Sequence, residues 1–230
     1  STDDREFIEL KSAVPNFSLD GFVLVLYNGS PTSSTGDKSY YALDLDGLVT
    51  DVNGLILIGN QLVAPLPDRF FATNTIQNGQ DAVALYLGNG SDFPDQTPVT
   101  ATNLIDAIVY GNNNPDATTL MQVLGVSTQI NESINGQGPT QSIQRKNDGT
   151  YEVQTPTPGA NNDGSGFIFN YVSIDSDILE INEGESFNVT FNTTLPVAEK
   201  LTFTYSLNNG SFNTADYTAN LTVTIPAGGN

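Results

Sequence analysis

The chain has 230 residues, no Cys and no His, and a net charge of −19 with only seven Lys and Arg. That composition excludes imidazole and thiolate metal sites, Ser-His-Asp and Cys-His nucleophiles, and the usual proton shuttle at neutral pH. Seven scattered cations cannot assemble the basic face that a phosphate backbone requires, so nucleic-acid binding is not expected.

Turn signals dominate what is left. There are 21 Gly and 12 Pro, with six Asn-Gly and four Asp-Gly pairs set between short apolar runs. Such pairs favour the positive-φ turns that join twisted strands, and their frequency predicts an all-β sandwich architecture. Glu6-Phe7-Ile8-Glu9-Leu10 alternates charged and apolar residues, as a half-buried strand does. Pro15-Asn16 breaks it, and Asp20-Gly21 turns the chain into Val23-Leu24-Val25-Leu26-Tyr27. This continuous apolar run predicts a central strand buried on both faces. Asn28 to Asp37 reads as a polar loop. Strands are expected at Tyr40 to Leu45 and Leu55 to Gly59, followed by a loop punctuated by Pro65 and Pro67. Ala82 to Leu87 and Leu104 to Tyr110 then form the hairpin around which the first part of the chain is organised.

Asn114-Pro115-Asp116 predicts a helix start, with Asn114 as N-cap and Pro115 in the first turn. Its apolar face would be Leu120, Met121 and Leu124, its stop Gly125, and its place an edge or end of the sandwich. Ser127 to Thr140 is polar and turn-rich, Ser142 to Lys146 reads as a short strand, and Thr155 to Asn162 reads as an extended, proline-stiffened closing segment. Asp163-Gly164-Ser165-Gly166 has the composition of a flexible linker. Beyond it, strands are expected at Phe167 to Ile174, Phe187 to Phe191, Leu201 to Tyr205 and Leu221 to Ile225.

The side chains with chemical potential mostly read as structural. Asp44-Leu45-Asp46-Gly47 lacks the third Asp and distal Glu of an EF-hand loop and reads as a turn. Asp81 and Asp106 read as hydrogen-bonding groups, and Arg145 as the partner of a carboxylate. Tyr40, Tyr41, Phe70 and Phe71 read as core aromatics rather than a recognition platform. The eight N-x-S/T sequons follow from a composition rich in Asn and Thr. The lack of Cys points to a bacterial export product or a cytosolic protein. No apolar stretch reaches membrane-spanning length and no signal peptide is visible, so direct membrane insertion is not expected.

Six blocks, in order, carry a resemblance: EFIEL at 6–10, LDGF at 19–22, GQDAVALY at 79–86, IDAIVYG at 105–111, SIQRK at 142–146 and PGAN at 158–161. They resemble a lamin-tail domain, which implies an immunoglobulin-like β-sandwich over residues 1–162. Phe22 stands where that family usually has Trp. The family also has a strand before the EFIEL block, which Ser1 to Arg5 is too short and polar to supply. After a linker at 163–166, residues 167–230 are similar to a Calx-beta domain, on Glu183-Gly184-Glu185, Ala215-Asp216-Tyr217-Thr218 and Ile225-Pro226-Ala227-Gly228. That resemblance implies a second immunoglobulin-like sandwich, incomplete at its C-terminus.

Together these imply a noncatalytic spacer, adhesion or protein-interaction module of a secreted or cell-surface bacterial protein. The alternative is an accessory region of an exported hydrolase, of nuclease or phosphatase type, whose catalytic domain lies outside the chain. Expected partners are a protein or glycan at the cell surface, and a strand donated by another chain or a missing segment. By the Calx-beta resemblance, Glu183 and Asp216 occupy positions of calcium ligands, with Asp175 and Asp177 nearby as helpers. Calcium is a hard cation that takes six to eight oxygens, and an acidic chain attracts it. No other cofactor is expected.

Overall fold

The computed structural model describes residues 3–162, 172–178, 180, 182, 184–194, 196–197, 200–206, 218 and 221–229. Among them it has fourteen strands and one seven-residue α-helix, an all-β fold. The chain divides into two compact units, Ser1–Phe167 and Ile168–Asn230.

The first unit contains β1 (Phe7–Lys11), β2 (Phe22–Asn28), β3 (Lys38–Asp44), β4 (Leu55–Gly59), β5 (Arg69–Phe70), β6 (Asp81–Leu87), β7 (Leu104–Gly111), α1 (Thr118–Leu124), β8 (Ile130–Asn131), β9 (Ser142–Arg145) and β10 (Tyr151–Gln154). A five-stranded sheet runs in the order β3-β2-β6-β7-β8, a three-stranded sheet in the order β1-β4-β5, and β9 and β10 pair as a hairpin. All pairs are antiparallel except the two-residue contacts β4–β5 and β7–β8.

The five-stranded sheet is the middle layer, because period-two alternation sends its side chains into two different cores. On one face Leu24, Leu43, Val83 and Leu85 meet Ile8, Leu10, Ile56 and Ile58 of the three-stranded sheet. On the other, Val23, Val25, Tyr27, Ala82, Ala84, Tyr86 and Val109 pack under Leu120 and Leu124 of α1. Val23 through Tyr27 are accordingly all buried, as the unbroken apolar run of β2 requires. The antiparallel β6–β7 pair is also as expected. Ala82 and Ala84 face the helix, whereas Val83 and Leu85 face the sheet. Small residues on one side of β6 let α1 lie close.

The helix departs from expectation at its start and in its place. Its N-cap is Ala117, not Asn114. Asn114 Oδ1 instead accepts the Asn112 N–H at 2.8 Å, and Gln129 Oε1 accepts the Ala117 N–H at 2.8 Å. A non-local side chain therefore takes the capping role, and the proline lies before the helix. Leu120 and Leu124 are buried and Gly125 ends the helix in the left-handed conformation, as predicted. Rather than covering an edge or end, α1 sits on the face of the sheet over β6 and β7. Three further strands lie outside the expected ones. Arg69–Phe70, in the stretch that follows the proline-punctuated loop, pairs with β4. Ile130–Asn131, inside a stretch that reads as loop, pairs with β7. Tyr151–Gln154 pairs with β9.

The second unit contains β11 (Val172–Ser176), β12 (Val189–Thr193), β13 (Leu201–Thr204) and β14 (Thr222–Ile225). β11 pairs with β12 and β13 with β14, both antiparallel. Phe191 joins the two hairpins, with ring centroids 5.4 Å from Phe203 and 4.9 Å from Tyr205. The expected strand at Phe187 begins only at Val189, and Phe187 is exposed. The expected linker at 163–166 and the first residues of the strand expected from Phe167 lie outside the described residues.

Candidate functional site

The carboxylates of the first unit concentrate at loops, where most of them accept backbone N–H groups. Asp20 and Asp46 clasp each other's turns: Gly47 N–H donates to Asp20 Oδ1 at 2.7 Å, and Gly21 N–H to Asp46 Oδ1 at 2.6 Å. Gly21 and Gly47 both have φ near +78° and +77°, where an L side chain is strained. Asp44 accepts from Asp46 N–H and Gly90 N–H, so the Asp44–Gly47 stretch is the turn that its sequence implies. These bonds favour the ionised forms and hold Asp20 and Asp44 below the usual carboxylate range. Glu6 accepts from Thr75 and Ile76 N–H at 3.0 Å each.

Asp81, 1% exposed, accepts from Gly29 N–H at 3.1 Å and Gly79 N–H at 3.2 Å. Burial outweighs those two bonds and pushes its carboxyl up to about 6. Asp106 pairs with Arg145 at 2.6 Å on the surface, which fastens the β9–β10 hairpin to β7. Of the four aromatics in the two pairs, Tyr41 and Phe71 pack edge-on at 6.5 Å, and the Tyr40 hydroxyl accepts the Gln77 N–H. Phe70 alone of the four is exposed, contrary to the reading of all four as core.

A second constellation lies on β1. Ile8 and Leu10 face the core, so Glu9 and Lys11 share the opposite face. There they meet the closing segment at 155–162. Gly159 N–H donates to Glu9 Oε2 at 2.6 Å, and Lys11 Nζ donates to Asn161 Oδ1 at 2.6 Å. Gly159 adopts φ +75°, where an L side chain is strained, and a Cβ there would press on Pro65 Cγ at 3.0 Å.

The segment is held from its other side as well. Gln144 Nε2 donates to Thr155 O at 2.7 Å, Gln154 Nε2 to Asn162 O at 3.0 Å, and Asn162 Nδ2 to Arg145 O at 3.0 Å. Burial pushes Glu9 up to about 7. The Gly159 N–H opposes this, Asp51 adds to it, and the Lys11 charge opposes it. The site therefore holds an amine, a carboxamide and a carboxyl poised near neutrality, on a fixed frame. The EFIEL and PGAN blocks supply Glu9 and Asn161, but nothing in either block signals that they touch.

Glu183 and Asp216, the expected calcium ligands, lie outside the described residues. Asp175 lies on β11. Asp177 accepts from Asn188 N–H at 2.9 Å and Nδ2 at 2.8 Å, which lowers its carboxyl and ties the ends of β11 and β12 together. Among the described residues, no group of three or more acidic side chains is gathered to hold a metal ion. Also among them, no helix is long and apolar enough to cross a membrane. Compared with known proteins, the chain matches no family, no curated sequence and no solved structure.

Proposed function

We propose that the chain is a noncatalytic module of a secreted or cell-surface protein, serving as a spacer or in adhesion to a protein or glycan partner. The observation that carries this reading is the use of its carboxylates. Asp20, Asp44, Asp46, Asp81 and Glu6 bind backbone N–H groups and set loops, an arrangement suited to a rigid scaffold in a solvated, acidic surface. In family terms we read an immunoglobulin-like lamin-tail module followed by a partial Calx-beta module. In support, the EFIEL block covers β1, the GQDAVALY and IDAIVYG blocks cover β6 and β7, SIQRK covers β9, and PGAN closes on β1.

Antibodies raised against the chain are expected to label intact, unpermeabilised cells of the source organism. Labelling that appears only after lysis would sink the surface reading.

In the same reading, Glu183 and Asp216 hold calcium that stabilises the second unit. A ligand that binds only the folded state raises its melting temperature. Calcium at about millimolar concentration is therefore expected to raise one of two thermal transitions, and chelator to reverse it, followed by calorimetry. Identical melting curves in calcium and chelator would retire the metal.

A further inference from the structure

We infer that Lys11 and Asn161 become joined by an intramolecular isopeptide bond, with Glu9 as the neighbouring group that carries the proton. Three observations lead there. The Lys11 Nζ already lies 2.6 Å from the carboxamide oxygen of Asn161, so the amine sits against the group it would attack. Asn161 is 9% exposed, and its neighbours Gly159 and Asn162 are fixed by hydrogen bonds from three directions. Glu9 stands two residues before Lys11 on the same strand face and is anchored to the same closing segment. A nucleophile held against an electrophile on a rigid frame gains the effective molarity of an intramolecular reaction.

The step balances without an oxidant or a co-reactant. The Lys11 ε-ammonium gives a proton to the Glu9 carboxylate, and the free amine adds to Asn161 Cγ, forming the N–C bond. The protonated Glu9 returns that proton to Nδ2 as the tetrahedral centre collapses. The attacking nitrogen gives up its second surplus proton through Glu9, the Cγ–Nδ2 bond breaks, and the leaving ammonia carries that proton away as ammonium, so an amide replaces an amide. Proton transfer of this kind is most efficient when the carrier's pKa lies near the working pH, and Glu9, pushed up to about 7 by burial and by Asp51 against the opposing Lys11 charge, meets that condition. Lys11 itself is exposed, its stem reaching inward to the buried carboxamide.

The test is mass spectrometry of the full chain. The expected chain is about 17 Da lighter than its sequence mass, the loss of one ammonia. Digestion is expected to yield one branched peptide joining the segments around Lys11 and Asn161. Succinimide formation at an Asn-Gly pair loses the same mass, so the branched peptide decides. A mass loss that maps to an Asn-Gly site, or recovery of Lys11 and Asn161 in separate unmodified peptides, overturns the bond. Lys11→Arg and Asn161→Ala, each confirmed as folded by circular dichroism, are expected to abolish the branched peptide. Glu9→Gln keeps an acceptor for the Gly159 N–H and is expected to leave the two residues unjoined. Equally fast joining in Glu9→Gln would remove Glu9 from the mechanism while leaving the bond in place.

Discussion

Gly29→Ala is expected to cost about 3 kcal/mol or more and to free α1 from the sheet. Gly29 follows β2 at the point where that strand, the start of β6 and the start of the helix converge. Its N–H is shared between the Gln80 carbonyl at 2.8 Å and Asp81 Oδ1 at 3.1 Å. An added Cβ would stand 2.4 Å from Gln80 O, 2.6 Å from Ala117 Cβ and 2.8 Å from Leu120 Cδ1. Leucine could yield by changing rotamer, but the Gln80 carbonyl cannot move without breaking the bonds that fix Gly29 and Asp81. The helix would have to lift, exposing Leu120 and Leu124 together. Urea unfolding of the variant is the check. A loss under about 1 kcal/mol would mean that the residues around Gly29 are less tightly seated than described.

The second large effect is in pH. Asp81 and Glu9 both have folded-state pKa values raised by burial, to about 6 and about 7. Between the unfolded and folded values the native state binds more protons, so their contribution to stability is full only below the unfolded values of about 4 and falls steadily above them. It is lost as pH rises through 6 and 7. Over about pH 5 to 8 the first unit is expected to lose about 2 kcal/mol, after allowance for solvent around the half-buried Glu9. Asp20 and Asp44 act with the opposite sign and in a lower window. Their lowered values give stability that is present above the unfolded pKa and lost in stronger acid. The stability profile should therefore peak in mild acid. Asp81→Asn is expected to flatten its alkaline limb, because an amide cannot ionise. Stability that rises steadily from mild acid to mild alkali would contradict the burial of both groups.

Much of the fold was legible where a strand's own residues record its surroundings. β2 is apolar at every position because both faces are covered, and β6 alternates small and large residues because its two faces meet different layers. Gly125 ended the helix as its chemistry demands. The helix start is not legible because Asn114 and Pro115 have the local character of a cap, while the group that holds the N–H of the actual N-cap residue, Gln129, arrives from beyond the helix. β5 and β8 are two residues each, too short to carry any period, and they exist only because a neighbouring strand offers an edge. The pairing of Arg145 with a carboxylate could be expected in so acidic a chain, but its identity as Asp106 could not. The Glu9, Lys11 and Asn161 constellation was the least legible of all. Its members are ordinary residues in separate blocks, and only the fold brings them together.

That separation also sets a schedule for biosynthesis. The contacts Glu9–Gly159 and Lys11–Asn161 each span 150 residues. At translation speeds of about 5–20 residues per second, β1 waits on the order of ten to thirty seconds for its closing segment to be made. β4 becomes available much earlier and can pair with β1 while the opposite face, with Glu9 and Lys11, is still wet. In a nascent chain stopped before Thr155 the Gly159 and Asn161 partners of Glu9 and Lys11 do not yet exist. The outer face of the first strand is a record of whether the last segment of its unit has been synthesised.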